Sequence, residues 1–205
     1  MGTAKITYAI SNQNYELVRD KVAAILALEL PNQATLNAES HIDASVFTER
    51  ITSIDAQEKA VVNVILSRLE LSNDTAFSQK NEMSIVVEVY TQAYDTANDR
   101  GDELAAMKNH RIAGIIRTVL MSRPYARLGF DAGFIENRTI SEISRTIPRN
   151  QSDAANNVMT TISMQVKCVE DMAQDEGVEV ARNSTIATVI KQTTEKGIEY
   201  TYVKS

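Results

Sequence analysis

Hydrophobic positions along this chain change their spacing several times, and each change marks an element. From near Asn14, and clearly over Tyr15 to Leu30, the apolar residues recur at helical intervals around the run VAAILALEL (Val22 to Leu30). That spacing predicts an amphipathic N-terminal helix. AVVNVIL (Ala60 to Leu66) is a β-branched run of strand length. In MSIVVEVYTQ (Met83 to Gln92), Ile85, Val87 and Val89 share one face while Val86, Glu88 and Tyr90 share the other, which predicts a second strand. After the turn residues Asp95, Asn98 and Asp99 the spacing is helical again from Gly101 to Met121, where Leu104, Ile112, Ile115, Ile116, Val119 and Leu120 make a wide apolar stripe. Pro124 closes this helix, because the residue before a proline is pushed out of the α region and the ring removes a donor. β-branched residues return from Ile135 to Ile147, and Pro148 with Asn150 to Asp153 makes a polar break. In Val158 to Val169, Val158, Ile162, Met164, Val166 and Cys168 alternate with Thr161, Ser163, Gln165 and Lys167. A strand of that kind buries one face and wets the other, as antiparallel sheets commonly do. The order strand, strand, long helix, strand, strand predicts an α+β fold, a mostly antiparallel sheet packed against one long helix and the N-terminal helix.

Two regions lie outside this unit. Residues 31–57 are rich in Asn, Ser, Thr, Asp and Glu, with an amphipathic segment around Ile42 to Ile51. They are too long for a simple connection, so they hold some structure of their own or a partner-binding loop. Toward the C-terminus, TIATVI (Thr185 to Ile190) and IEYTYV (Ile198 to Val203) flank EKG (Glu195 to Gly197), the pattern of a β-hairpin. A lone hairpin is marginal in water, so this one is expected to act as an arm reaching onto a neighbouring subunit. The chain therefore divides into a main domain, residues 1–170 with an irregular insertion at 31–57, and a C-terminal extension, residues 171–205.

Composition removes several classes of function. With 205 residues, 43% of them apolar and 23% charged, the chain fits a globular domain with a real core. Val22 to Leu30 is too short to cross a bilayer and contains Glu29, so no membrane association is expected. The single cysteine, Cys168, falls on the apolar face of the last strong strand, and reads as a core residue rather than a nucleophile. The net charge of −6 is uneven, because Arg100, Lys108, Arg111, Arg117, Arg123, Arg127, Arg138, Arg145 and Arg149 crowd the long helix and the strand after it. Such a region can meet a polyanion, pair with a copy of the chain or simply be a solvated face. The acidic balance and scarce aromatics argue against sequence-specific nucleic-acid binding.

Catalytic signatures are sparse. His41 and His110 are far apart in sequence with no neighbouring cysteine pair, and no GxSxG, GxxxxGK[ST] or GxGxxG occurs, so neither a cofactor nor a metal is expected. Asp95, Asp99, Asp102 and Glu103 cluster at the start of the long helix. They could gather metal ions for a nuclease or hydrolase, but capping and the helix dipole account for them more simply. Glu170, Asp171, Asp175 and Glu176 read as a solvated linker.

The N-terminal helix, the strand Ala60 to Leu66, the loop with Asn73, Asp74 and Ser78, and VEVYTQAYDTANDRGDELAAMKNHRIAGII (Val87 to Ile116) resemble the tail terminator, or tail-completion, proteins of long-tailed bacteriophages. So does the closing pair Ile135 to Ile147 and Val158 to Val169. The likeness spans roughly Asn14 to Glu170 and is one of order and spacing. It implies a non-enzymatic virion protein, assembled in the host cytoplasm, whose copies form a ring, commonly a hexamer, on the head-proximal end of the tail tube. The ring would stop tube polymerisation and join the tail tube protein to a neck or head-completion protein, with genomic DNA only as passing cargo. The chain is longer than that family, chiefly at 31–57 and after Glu170. Arg111, Arg117 and Arg145 are the candidate contacts between subunits, meeting acidic segments of the next copy, and the polar loops Leu71 to Asn81 and Arg149 to Asn157 are candidate lumen or docking surfaces. A neighbouring neck or tube adaptor, a ligand-binding regulatory domain, and a metal-dependent hydrolase using Asp95, Asp99 and Asp102 are the alternatives.

Overall fold

A computed structural model of the chain describes residues 10, 12–52, 58, 60–73, 78–95, 100–146, 155–171, 189–193 and 197–201. The elements are α1 (Asn14–Leu36), a 3-10 turn (Ser40–Ile42), β1 (Ser45–Thr48), β2 (Ala60–Asn73), β3 (Ser78–Tyr94), α2 (Gly101–Met121), β4 (Ile135–Thr146), β5 (Ala155–Asp171), β6 (Val189–Thr193) and β7 (Gly197–Thr201). The chain forms two compact units, Met1–Met172 and Ala173–Ser205. In the first, five strands pair in the order β1-β2-β3-β5-β4. Only β1 runs parallel to its neighbour; β2–β3, β3–β5 and β4–β5 are antiparallel. This mixed sheet with two helices is an α+β fold.

The two faces of the sheet follow from the period of β3. Met83, Ile85, Val87 and Val89 are fully buried, and their partners Val62, Val64, Ile162, Met164 and Val166 join them in one core with α1 and α2. Burying such a side chain contributes about 1.5–3 kcal/mol, so this layer fixes the register: a one-residue slip would turn every apolar side chain to the other face. Cys168 lies in the same layer, 1% exposed. The other face carries Ser84, Val86, Glu88 and Tyr90 with Gln165, Ser163, Thr161 and Met159 opposite them, all half-buried.

Polar pins attach α2 to the sheet. Asn109, fully buried, donates from Nδ2 to the carbonyls of Val89 (2.8 Å) and Val158 (3.2 Å), while its Oδ1 accepts the Thr160 hydroxyl. The Thr91 hydroxyl donates to the Ala105 carbonyl at 2.8 Å. Buried polar groups must be paired, and these pairings fix how far α2 can slide along β3 and β5.

Several boundaries differ from those expected of the sequence. α1 continues through Pro31 to Leu36. The proline is exposed, as is Ala27 one turn earlier, so the carbonyl that loses its intrahelical donor faces water. β2 and β3 extend to Asn73 and from Ser78, so most of the expected loop Leu71 to Asn81 is paired strand, Leu71 opposite Asn81 and Ser72 opposite Lys80. A shift in register between Leu66 and Arg68 lets the hairpin continue. The expected insertion holds the end of α1, the 3-10 turn and β1. Glu170 and Asp171 end β5 rather than open a linker, and Asp175 and Glu176 lie outside the described residues. Of the expected loop Arg149 to Asn157, the described part, 155–157, begins β5.

The second unit contains the expected hairpin strands with different ends. β6 and β7 pair antiparallel, Val189 opposite Thr201 and Thr193 opposite Gly197. The segment 172–188, which would carry the ribbon as an arm, lies outside the described residues.

Candidate functional site

The acidic cluster before α2 is occupied by helix capping. An Asp95 carboxylate oxygen accepts the backbone N–H of Gly101 at 2.6 Å, satisfying one of the donors a helix start leaves open. Asp102 pairs with Arg100 at 2.8 Å, and with Glu103 it supplies negative charge to the first turn. Asp99 lies outside the described residues. Among the described residues no three His, Cys, Asp or Glu side chains are arranged to hold a metal ion.

The three arginines proposed as contacts have different surroundings. Arg111 is spent within the subunit. Its Nε donates to Glu39 Oε2 at 3.0 Å, and its Nη2 donates to Glu39 Oε1 and Asn37 Oδ1, joining α2 to the end of α1. Arg145 reaches back from β4 to α2, its Nη1 standing 2.9 Å from His110 Nε2. An arginine can only donate, so this contact requires the imidazole nitrogen as acceptor. Arg117 is exposed. Arg138, which the sequence placed only in the charged stretch, tucks under the end of α2 and donates to the carbonyls of Ala126 (3.0 Å) and Ser122 (3.0 Å). Burial lowers its affinity for the proton, while carbonyls at a helix C-terminus suit a cation.

The sheet ends in two unlike edges. Among the described residues no strand pairs with the outer side of β4, and every residue from Ser141 to Thr146 is exposed, Ile143 at 45%. At the other end β1 covers only Val61 to Val64 of β2. The Glu49 carboxylate takes the next free donor, Leu66 N–H, at 2.8 Å, and beyond it β2 has no second neighbouring strand among the described residues. Next to that edge a strap closes the corner of the sheet. Arg50 forms a two-pronged pair with Glu58 (2.7 and 2.8 Å), lies 4.6 Å over the Phe47 ring, and exchanges backbone hydrogen bonds with the Asn63 amide. The strap explains why Val61 and Asn63 are buried on the helix-free face.

A cleft of about 360 Å³ runs between α1 and α2. Glu29 and Tyr125 line one end, Asn37 and Arg111 the other, and Ile115, Val119, Gly114 and Thr118 lie between. The Tyr125 hydroxyl donates to Glu29 Oε1 at 2.5 Å, and Asn32 donates to Oε2 at 3.0 Å. These bonds, that of Tyr125 first, hold the Glu29 carboxyl below its ordinary range, and the same contact raises the Tyr125 hydroxyl above its own. Sequence reading passed over this site. Its signals were a charge inside the apolar run of α1 and a glycine in the middle of α2, and neither has meaning until the two helices meet.

No family model matches the chain, and no curated protein matches it.

Proposed function

We propose that this chain is a structural subunit that associates head to tail with copies of itself into a closed ring. The carrying observation is the pair of unlike open edges on opposite sides of one sheet, β4 along Ile135–Thr146 and β2 beyond Leu66. Unpaired strand edges are templates for pairing with another chain. A contact between two different patches repeats by rotation, and it ends when the rotation closes. The resemblance to phage tail terminators gives the ring its place. It would sit as a hexamer on the head-proximal end of the tail tube, stop tube growth and join the tube protein to a neck or head-completion protein. DNA passes through its lumen, and the ring performs no catalysis. Of the three contact candidates Arg117 is the one open to a neighbouring copy, whereas Arg111 and Arg145 would first have to leave Glu39 and His110.

Sedimentation velocity over a concentration series, with negative-stain imaging of the largest species, tests this reading. Closed rings of one size are expected. Ile143→Lys should shift the population to monomer with an unchanged circular-dichroism spectrum, because the residue is exposed on the edge. A wild-type chain that stays monomeric at the highest attainable concentration would overturn the proposal.

A further inference from the structure

We infer that the cleft between α1 and α2 binds a small organic cation, its charged head at Glu29 and its aliphatic body over Ile115 and Val119. This site is independent of self-association.

Three observations carry it. First, the Glu29 carboxylate is held in place entirely by neutral donors, Tyr125 and Asn32 with further help from Gln33. None of the ion pairs among the described residues involves it, so its charge is oriented but uncompensated. A carboxylate stabilised in that way stays ionised, and a carboxylate offers about four lone-pair positions for donors. Second, the middle of the cleft is roomy and apolar. A Cβ at Gly114 would meet nothing within 4 Å, the floor residues Ile115 and Val119 are each 8% exposed, and the Thr118 hydroxyl is turned back onto the Gly114 carbonyl at 2.9 Å. Third, the far end carries no free charge to attract an anion, because Arg111 is already matched by Glu39. Glu29 and Asn37 are separated by about 12 Å of helix at 1.5 Å per residue, so the body of the ligand is an alkyl chain or small ring.

The test is a titration of the full-length chain with n-hexylammonium chloride, followed by amide NMR. Saturable shifts are expected at Gly114 and Thr118, and sodium hexanoate, of equal apolar length, should move neither. Glu29→Gln should weaken the amine roughly tenfold, the scale of one charged hydrogen bond. Gly114→Leu should abolish binding by filling the cleft while leaving the spectrum folded, which keeps the test open if the Glu29 variant fails to fold. Equal binding of hexanoate, or an unchanged affinity in Glu29→Gln, would overturn the assignment. So would a shift of the Gly114 amide on diluting the protein alone, since the cleft would then belong to a contact between copies.

Discussion

Ala38 shows how a single backbone angle costs stability. It follows the C-cap of α1 with φ at 55°, the left-handed conformation that helices use to stop. The Glu39 N–H bonds the Ala34 carbonyl at 3.0 Å and the Ala38 N–H bonds that of Thr35 at 3.2 Å. Together these close the helix in the pattern usually built around glycine. A side chain in that conformation costs roughly 1–2 kcal/mol, part of which glycine returns as unfolded-state entropy. Ala38→Gly should therefore stabilise the protein by about 1 kcal/mol, read from the urea midpoint at constant m-value; an unchanged or lower midpoint would contradict it. Asn109 makes the opposite case. A lone asparagine within an apolar helical stripe looks like a flaw in sequence, because nothing there reveals that the carbonyls of Val89 and Val158 lie within its reach.

Where two elements meet, charge makes their attachment depend on pH. The Tyr125 hydroxyl, on the turn after α2, ties that turn to Glu29 of α1. The Glu29 carboxyl is depressed, so its contribution is present above the ordinary carboxyl range and lost as pH falls through its folded value. The Tyr125 hydroxyl is raised, so its contribution is present below its ordinary value and lost as pH rises through the folded one. Tyr125→Phe should cost about 1 kcal/mol near neutrality, a charged hydrogen bond discounted for exposure. The gap between wild type and variant should narrow in acid and again in strong alkali; a gap constant over the whole range would rule out this linkage. Legibility in sequence also differed among elements. α2 was readable at both ends because a full helical period, acids in the first turn and Pro124 agree. α1 was cut short at Pro31 because the ring removes a helical donor and crowds the Ala27 carbonyl; both residues are exposed, so water can take the place of the lost donor. The tips of β2 and β3 read as loop because Ser72, Asn73, Ser78, Gln79, Lys80 and Asn81 offer no apolar alternation. Their backbones pair nonetheless, since a hairpin can extend past its core by hydrogen bonding alone. β1 was hidden because a four-residue strand owes its existence to a neighbour that no local pattern names. The cleft was hidden for the same reason, with Glu29 and Tyr125 brought together from distant segments.

For the molecule as a whole, the order β1-β2-β3-β5-β4 puts β3 at the centre of the sheet, and α2 packs across β3 and β5. Both helices share one core with the buried face, so the proposed self-association through the edges would leave that core untouched. Closure would also satisfy both edges at once, which separates a ring of one size from a ladder of growing polymers. The central position of β3 has a consequence in time. Its pairing with β2 closes a short turn, whereas Tyr94 finds Ala155 only after α2 and β4 have been accommodated. Closing the longer loop costs more chain entropy, so the β2–β3 hairpin should be structured in the folding transition state and β5 should join late. Val64→Ala would then slow refolding in stopped-flow measurements, while Ile162→Val would chiefly hasten unfolding. The reverse pattern would place the nucleus in the β4–β5 half. In the predicted order, a chain arrested midway still lacks the strand that joins β4 to the rest of the sheet, so it offers a passing chain the bare side of β3, which the finished subunit hides under β5.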